Sequence, residues 1–210
     1  MNTKCWLFDF DGVLVDSMPT WAGIHIKALE DAGIPVPADF VETITPLGNY
    51  RASQYTLSLG VDEPLDAYLA RVSRVLYEEY TTNIQLKPGV RDFLRKLKAE
   101  GVRLQVLTAS PHLYVDACLT RHGITDLFEN IWSIDDFGLT KAQPEIFLAA
   151  AARLGLSVSD CTMADDNLTA LMNAKAAGMH TAAVFDESAK PTEDEKKALC
   201  DVYIGTFLQM

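Results

Sequence analysis

An α/β fold, a doubly wound parallel sheet with a small inserted α-helical domain, is predicted by three observations on this chain of 210 residues. Short apolar runs recur along it, each ending in polar or small residues. Helical patterns punctuated by proline and glycine lie between those runs. One connection, the first, is far longer than a crossover between parallel strands requires.

Taken in order, Lys4-Cys5-Trp6-Leu7-Phe8 stops at Asp9 and Gly12 and reads as a buried first strand followed by a loop. Residues 18 to 84 must then carry structure of their own. Trp21, Ile24, His25, Ala28, Leu29 and Ala32 fall on one helical stripe that ends at Gly33-Ile34-Pro35. Leu65, Tyr68, Leu69, Val72, Val75 and Leu76 form a second, entered through Asp62-Glu63-Pro64. The insertion is expected to be a helical bundle over 18–84, with the core domain made of 1–17 and 85–210. Within the core, Pro88 precedes a helical stripe at Val90, Phe93, Leu94 and Leu97, stopped by Gly101. Strands are expected at Arg103 to Leu107, Ile131 to Ile134, Asp160 to Ala164, His180 to Phe185 and Val202 to Ile204. Pro144 opens a helix through Phe147, Ala150, Ala151 and Leu154, which Gly155 ends. Ser188 to Lys197 reads as a polar turn leading into a late helix.

Hydrophobic residues make up 49% of the chain, enough for a real core, yet no stretch approaches the roughly 20 apolar residues that span a bilayer. The formal charge of −11 argues against nucleic acid and anionic membranes as partners, since both are bound mainly through Lys and Arg. Cys5, Cys118, Cys161 and Cys200 are too scattered for a zinc knuckle and are expected as reduced, mostly buried thiols. The first residues lack the cleavage site of a secretory signal, so a cytoplasmic location is expected. The histidines His25, His112, His122 and His180 have no metal-ligand spacing.

Ligands of open α/β sheets sit beyond the carboxyl ends of the strands, so the polar residues ending each apolar run are the candidates for chemistry. Asp9 and Asp11 end the first run; if strand geometry persisted to Asp11, both carboxylates would project to one side, with Gly12 letting the backbone turn sharply beside them. Two such carboxylates need a cation or unequal protonation, and they suit metal-assisted nucleophilic and acid/base work. Thr108-Ala109-Ser110-Pro111 offers hydroxyls and N–H groups before a helix, where a phosphate fits. Lys141 is a single cation ahead of the Pro144 helix, and Asp165-Asp166-Asn167 is an acidic pair at another strand end. Oxygen ligands of this kind suit Mg²⁺. Taken singly, these residues also fit ordinary roles as turn formers, helix caps and a solvated lysine. Their joint placement at four strand ends outweighs those readings.

The order resembles that of the haloacid dehalogenase superfamily, whose phosphatases carry D-x-D-G, then Ser or Thr, then Lys, then an acidic pair; the match runs from Asp9 to Met179. Asp9-Phe10-Asp11-Gly12-Val13-Leu14-Val15-Asp16-Ser17 is similar to the phosphatase-like branch with a helical cap after the first motif, and Asp11 separates the chain from the dehalogenases. The chain departs from that pattern at Ala142, Asn167 and Ala170, where the family often has Pro, Ser and Gly. The resemblance implies a Rossmann-like core and a phosphatase acting on a small phosphorylated metabolite. In that reading Asp9 takes the phosphoryl group as an aspartyl-phosphate and Asp11 is the proton donor and acceptor. Thr108, the N–H of Ala109 and Lys141 neutralise the phosphate. Mg²⁺ is held by Asp9, the backbone carbonyl of Asp11 and Asp166, while Asp165 steers a metal-bound water. The helical cap acts as a lid, and the loop from Thr45 to Arg51, above all Gly48 and Arg51, selects the substrate. A phosphomutase similar to β-phosphoglucomutase is the nearest alternative. That family's cap motifs resemble H-x-x-A-W and K-G-x-x-R, of which only the Gly and Arg have counterparts here. Phosphonoacetaldehyde hydrolase ranks lower, for want of its cap lysine near Gly48, and a non-catalytic phosphometabolite-binding protein stands as a third reading. The oligomeric state stays open between monomer and dimer.

Overall fold

The structure, a computed structural model, describes residues 3–210. Met1 and Asn2, which open the expected core segment, lie outside the described residues, as does the side chain of Pro46 in the expected cap loop. The chain divides into two units, one made of Met1–Asp16 and Gln85–Met210, the other of Ser17–Ile84.

The first unit holds six parallel strands: β1 (Cys5–Phe8), β2 (Arg103–Thr108), β3 (Asn130–Ser133), β4 (Cys161–Asp165), β5 (His180–Val184) and β6 (Val202–Ile204). They lie in the order β3-β2-β1-β4-β5-β6. Cys5 is in register with both Arg103 and Cys161, so β1 is a central strand with a neighbour on each side. Its four residues are buried without interruption, as expected for a parallel strand covered on both faces.

Alternation along β1 divides the core between two layers. Cys5 and Leu7 face Ile146, Phe147, Ala150 and Ala174, which belong to α7 (Pro144–Arg153) and α8 (Leu168–Ala177). Trp6 and Phe8 turn the other way and meet Phe93 of α5 (Val90–Ala99) edge-on, at 5.5 and 6.3 Å between ring centroids. Phe207, in the closing turn, lies against the far side of Phe93. Hydrogen bonds from Arg91 to His122 O and from Lys98 to Asp126 O tie α5 to the segment that follows α6 (His112–Arg121), on the same side of the sheet. The last helix, α9 (Glu193–Leu199), precedes β6. Cys5, Cys118 and Cys161 are buried and Cys200 is half-buried; all four are free thiols.

The second unit contains four helices: α1 (Met18–Asp31), α2 (Phe40–Ile44), α3 (Gly48–Ser58) and α4 (Leu65–Thr82). Leu29, Phe40, Ile44 and Ala52 form its apolar centre. Three polar contacts cross-link the helices beside it. Trp21 Nε1 donates to Tyr80 Oη at 2.9 Å, and His25 Nδ1 lies 2.9 Å from Tyr68 Oη and 3.1 Å from Thr56 Oγ1. The stretch from Thr45 to Arg51, expected as a loop, is helical instead: a single turn over Thr45–Leu47 runs into α3, with Gly48 at φ +68° supplying the change of direction between them.

Candidate active site

The sheet order reverses direction between β1 and β4, and an open α/β sheet forms its crevice at that point. Asp9 follows β1 directly, and its N–H donates to Ala164 O at 2.9 Å, carrying the β1–β4 ladder one residue further. Beyond it the backbone folds tightly: Leu14 N and Val15 N both donate to Phe10 O, and Gly12 N donates to Val15 O. Strand geometry therefore ends at Phe8, and the carboxylates of Asp9 and Asp11 reach different partners. Asp9 Oδ1 accepts from Phe10 N at 2.7 Å, while its Oδ2 lies 2.7 Å from Lys141 Nζ. Asp11 Oδ2 accepts from Ser110 Oγ at 2.5 Å.

At the end of β4 the acidic pair divides its work. Asp165 is fully buried; Oδ2 pairs with Lys141 Nζ at 2.8 Å and Oδ1 accepts from Asn167 N at 2.9 Å. Asn167 then caps α8, its Oδ1 accepting from Ala170 N at 3.2 Å. Asp166 is 8% exposed, and no hydrogen bond or ion pair reaches its carboxylate among the described residues. It lies so near the first loop that a Cβ added to Gly12 would come within 2.7 Å of Asp166 Oδ2, and Gly12 itself sits at φ +70°. Only glycine satisfies both conditions.

Oxygens of Asp9, Asp165 and Asp166 lie within 4.8 Å of one another. Lys141 is inserted among them; burial lowers its pKa, but Asp165 and Asp9 overcome that and leave it raised. Burial pushes Asp165 up to about 6, with Lys141 pulling against the shift. Asp166 is driven well above the usual carboxylate range, first by burial and then by Asp165 and Asp9. Even with the ammoniums of Lys141 and Lys196 beside them, three clustered carboxylates leave an excess of negative charge around an oxygen pair with no partner among the described residues. The residues therefore fit a hard divalent cation with oxygen ligands.

Thr108 ends β2, is buried, and accepts from Ser110 N through Oγ1 at 3.0 Å; Ala109 beside it is exposed. The structure thus gathers Asp9, Lys141, Asp165 and Asp166 around one point, and links Asp11 to the Thr108–Ser110 turn. Gly48 opens α3 in the helical unit, with Arg51 exposed in that helix's first turn. Several participants were not visible in the sequence. Ser110 carried no hint of its contact with Asp11, and Lys196 stood in the charged run Glu193-Asp194-Glu195-Lys196-Lys197, which looks solvent-facing. Lys196 is instead buried, its Nζ donating to Asp166 O at 2.8 Å and to Ala189 O at 2.9 Å.

A family model for haloacid dehalogenase-like hydrolases matches residues 3–178. Among curated proteins, hexitol phosphatase B of Escherichia coli K12 is 25% identical over 97% of this chain and 92% of its own length. A phosphoglycolate phosphatase of Aliivibrio fischeri is 28% identical over 87% of this chain and 84% of its own. Among solved structures, a predicted phosphoglycolate phosphatase from Haemophilus somnus superposes with a TM-score of 0.80 at 25% identity, covering 99% of this chain and 96% of that one. CbbY of Rhodobacter sphaeroides, crystallised as a mutant with xylulose-1,5-bisphosphate, superposes at 0.77 and 21% identity, over 98% and 95%. With most of its length matched, its fold shared and its acidic strand ends assembled, the chain belongs to the haloacid dehalogenase-like hydrolase family.

Proposed function

We propose that the protein is a Mg²⁺-dependent phosphatase that hydrolyses a small phosphate monoester through an aspartyl-phosphate on Asp9. The observation that carries this reading is the meeting of Asp9, Asp165 and Asp166 beside Lys141, with the Asp166 carboxylate lacking a partner among the described residues. Asp9, the Asp11 carbonyl and Asp166 are the residues that would hold the cation, which when bound neutralises charge on the phosphoryl oxygens. Asp165 was expected to steer a metal-bound water. That role stands beside two others, orienting Lys141 through Oδ2 and starting α8 through Oδ1.

Asp9 Oδ1 is fixed by Phe10 N, leaving Oδ2, now on Lys141, as the oxygen to attack phosphorus. Asp11 protonates the leaving alcohol and then takes a proton from the hydrolytic water; Ser110 Oγ holds its carboxylate in the resting arrangement. Thr108, the Ala109 N–H and Lys141 bind the phosphoryl oxygens. The helical unit serves as the cap and selects the leaving group. Gly48 and Arg51 are its candidates, Arg51 being exposed and without a hydrogen bond or ion pair among the described residues.

Relatives named for hexitol phosphate and phosphoglycolate, and the sugar bisphosphate held by CbbY, direct the substrate search to small phosphorylated polyols and acids. The test is a panel of such esters, with phosphate release followed at rising Mg²⁺. Turnover that needs Mg²⁺ and vanishes in Asp9→Asn is expected. Interconversion of phosphate isomers without phosphate release would mark a mutase, and phosphate release by purified Asp9→Asn would falsify the role of Asp9.

A further inference from the structure

The first unit buries a lysine for which the proposed mechanism has no use. Lys196, the fourth residue of the seven-residue α9, is 1% exposed and forms no ion pair among the described residues. Its ammonium is spent on two main-chain carbonyls, those of Asp166 and Ala189. Taking an ammonium out of water is costly, and an apolar side chain of similar length would fill the same space more cheaply. A charge kept there calls for a use, and the location supplies one. The peptide carbonyl it holds joins Asp166 to Asn167, the two residues on which the end of β4 turns into α8.

Three consecutive residues of that turn are thereby fixed by three separate bonds. Asp165 Oδ1 takes Asn167 N, Lys196 takes Asp166 O, and Asn167 Oδ1 takes Ala170 N. The middle residue is the one whose side chain has no partner and stands against Gly12. Nothing on the Asp166 carboxylate itself holds it in place, so its direction is set by its backbone. A second lysine acts similarly one layer away: Lys87 Nζ donates to Phe185 O at 2.7 Å and pairs with Asp186 Oδ2 at 2.8 Å, while Lys87 N donates to Leu14 O at 3.0 Å. It ties the loop after β1 to the loop after β5, the loop that also carries Ala189.

We infer that Lys196 is a positioning residue for the cation site: it fixes the Asp166 main chain, aims the unpartnered carboxylate at Asp9, and supplies a positive charge that lets three aspartates stay together before the cation arrives. This rests on the metal reading given above. Residues that orient metal ligands from behind change affinity about 10–100-fold when removed, without touching the substrate.

Binding of Mn²⁺ followed by electron paramagnetic resonance tests the assignment. Lys196→Met is expected to weaken Mn²⁺ binding by about 10-fold or more and to raise the half-saturating Mg²⁺ in phosphatase assays to match. At saturating Mg²⁺ the KM for p-nitrophenyl phosphate should stay within about twofold of the unaltered protein, because Lys196 makes no contact with the ester. A second measurement needs no variant: in protein labelled at the lysine ammonium nitrogens, the Lys196 resonance should move with the metal titration, and it alone decides if Lys196→Met does not fold. Unaltered protein that binds no Mn²⁺ overturns the metal reading and this assignment with it. Undiminished binding in folded Lys196→Met, or a Lys196 resonance indifferent to metal, overturns the assignment alone.

Discussion

At Asp166 the cost of a buried, unpaired carboxylate falls on the folded state whenever the site is metal-free. Burial, Asp165 and Asp9 raise its pKa, so the folded protein holds that proton more tightly than the unfolded chain does. Above the ordinary carboxylate pKa the ionised group therefore subtracts from stability. Asp166→Asn should raise the metal-free Tm at pH 7, by about 2–8 °C for roughly 1–2 kcal/mol, and should abolish the rise in Tm on adding Mg²⁺. Calorimetry with and without Mg²⁺ checks both. Gly12→Ala places a methyl group against the same carboxylate from a backbone angle that L-residues avoid. It should lose about 1–3 kcal/mol and weaken Mg²⁺ activation more than it weakens folding, seen by denaturant titration beside a Mg²⁺ titration of activity. At this scale Asp9, Thr108, Asp165 and Asp166 were legible in the sequence because they end apolar runs, and Lys141 because it stands alone ahead of the Pro144 helix. The pairing of Ser110 with Asp11 and the burial of Lys196 were not, because both are made by segments far apart in the chain, and nothing in their own neighbourhood marks them.

The helices of the inserted unit show where periodicity suffices and where it stops. α1 and α4 are amphipathic over many turns, and their buried residues, Ile24, His25, Ala28 and Leu29 in one and Tyr68, Val72, Leu76 and Tyr80 in the other, lie along the stripes read from sequence or their continuation. α2 is a helix of five residues and α3 buries Ala52, Ser53 and Thr56, so neither presents the large apolar stripe that such reading depends on. Thr56 is buried because it meets His25, and His25 lies between it and Tyr68. Burial, followed by Arg71, lowers the pKa of His25 to about 4, from 6.5. The unfolded chain thus binds the proton first, and the stability that His25 contributes is complete above pH 6.5 and lost as pH falls towards 4. The advantage of the unaltered protein over His25→Gln should shrink by roughly 2 kcal/mol between pH 7 and 4.5, measured as the difference in denaturant unfolding of the helical unit.

Across the whole chain the parallel sheet followed from alternating strands and helices, whereas the order of its strands and the contacts that close the first unit did not. Gly89, at φ +86° ahead of α5, is pressed against the closing turn: a Cβ there would lie 2.5 Å from the backbone of Phe207 and Leu208. Gly89→Ala should therefore cost about 2–4 kcal/mol, through backbone strain and displacement of the Phe207–Leu208 main chain, read as a fall in Tm of the first unit. The place of β1 in the middle of the sheet has a temporal side as well. It is the strand synthesised earliest, yet one neighbour begins only at Arg103 and the other at Cys161. While the ribosome is still at work, Cys5 to Phe8 are an unpaired, wholly apolar segment waiting for both partners. Nascent chains that stall before Asp166 emerges lack part of the proposed cation site, and they present an apolar strand with unpaired edges.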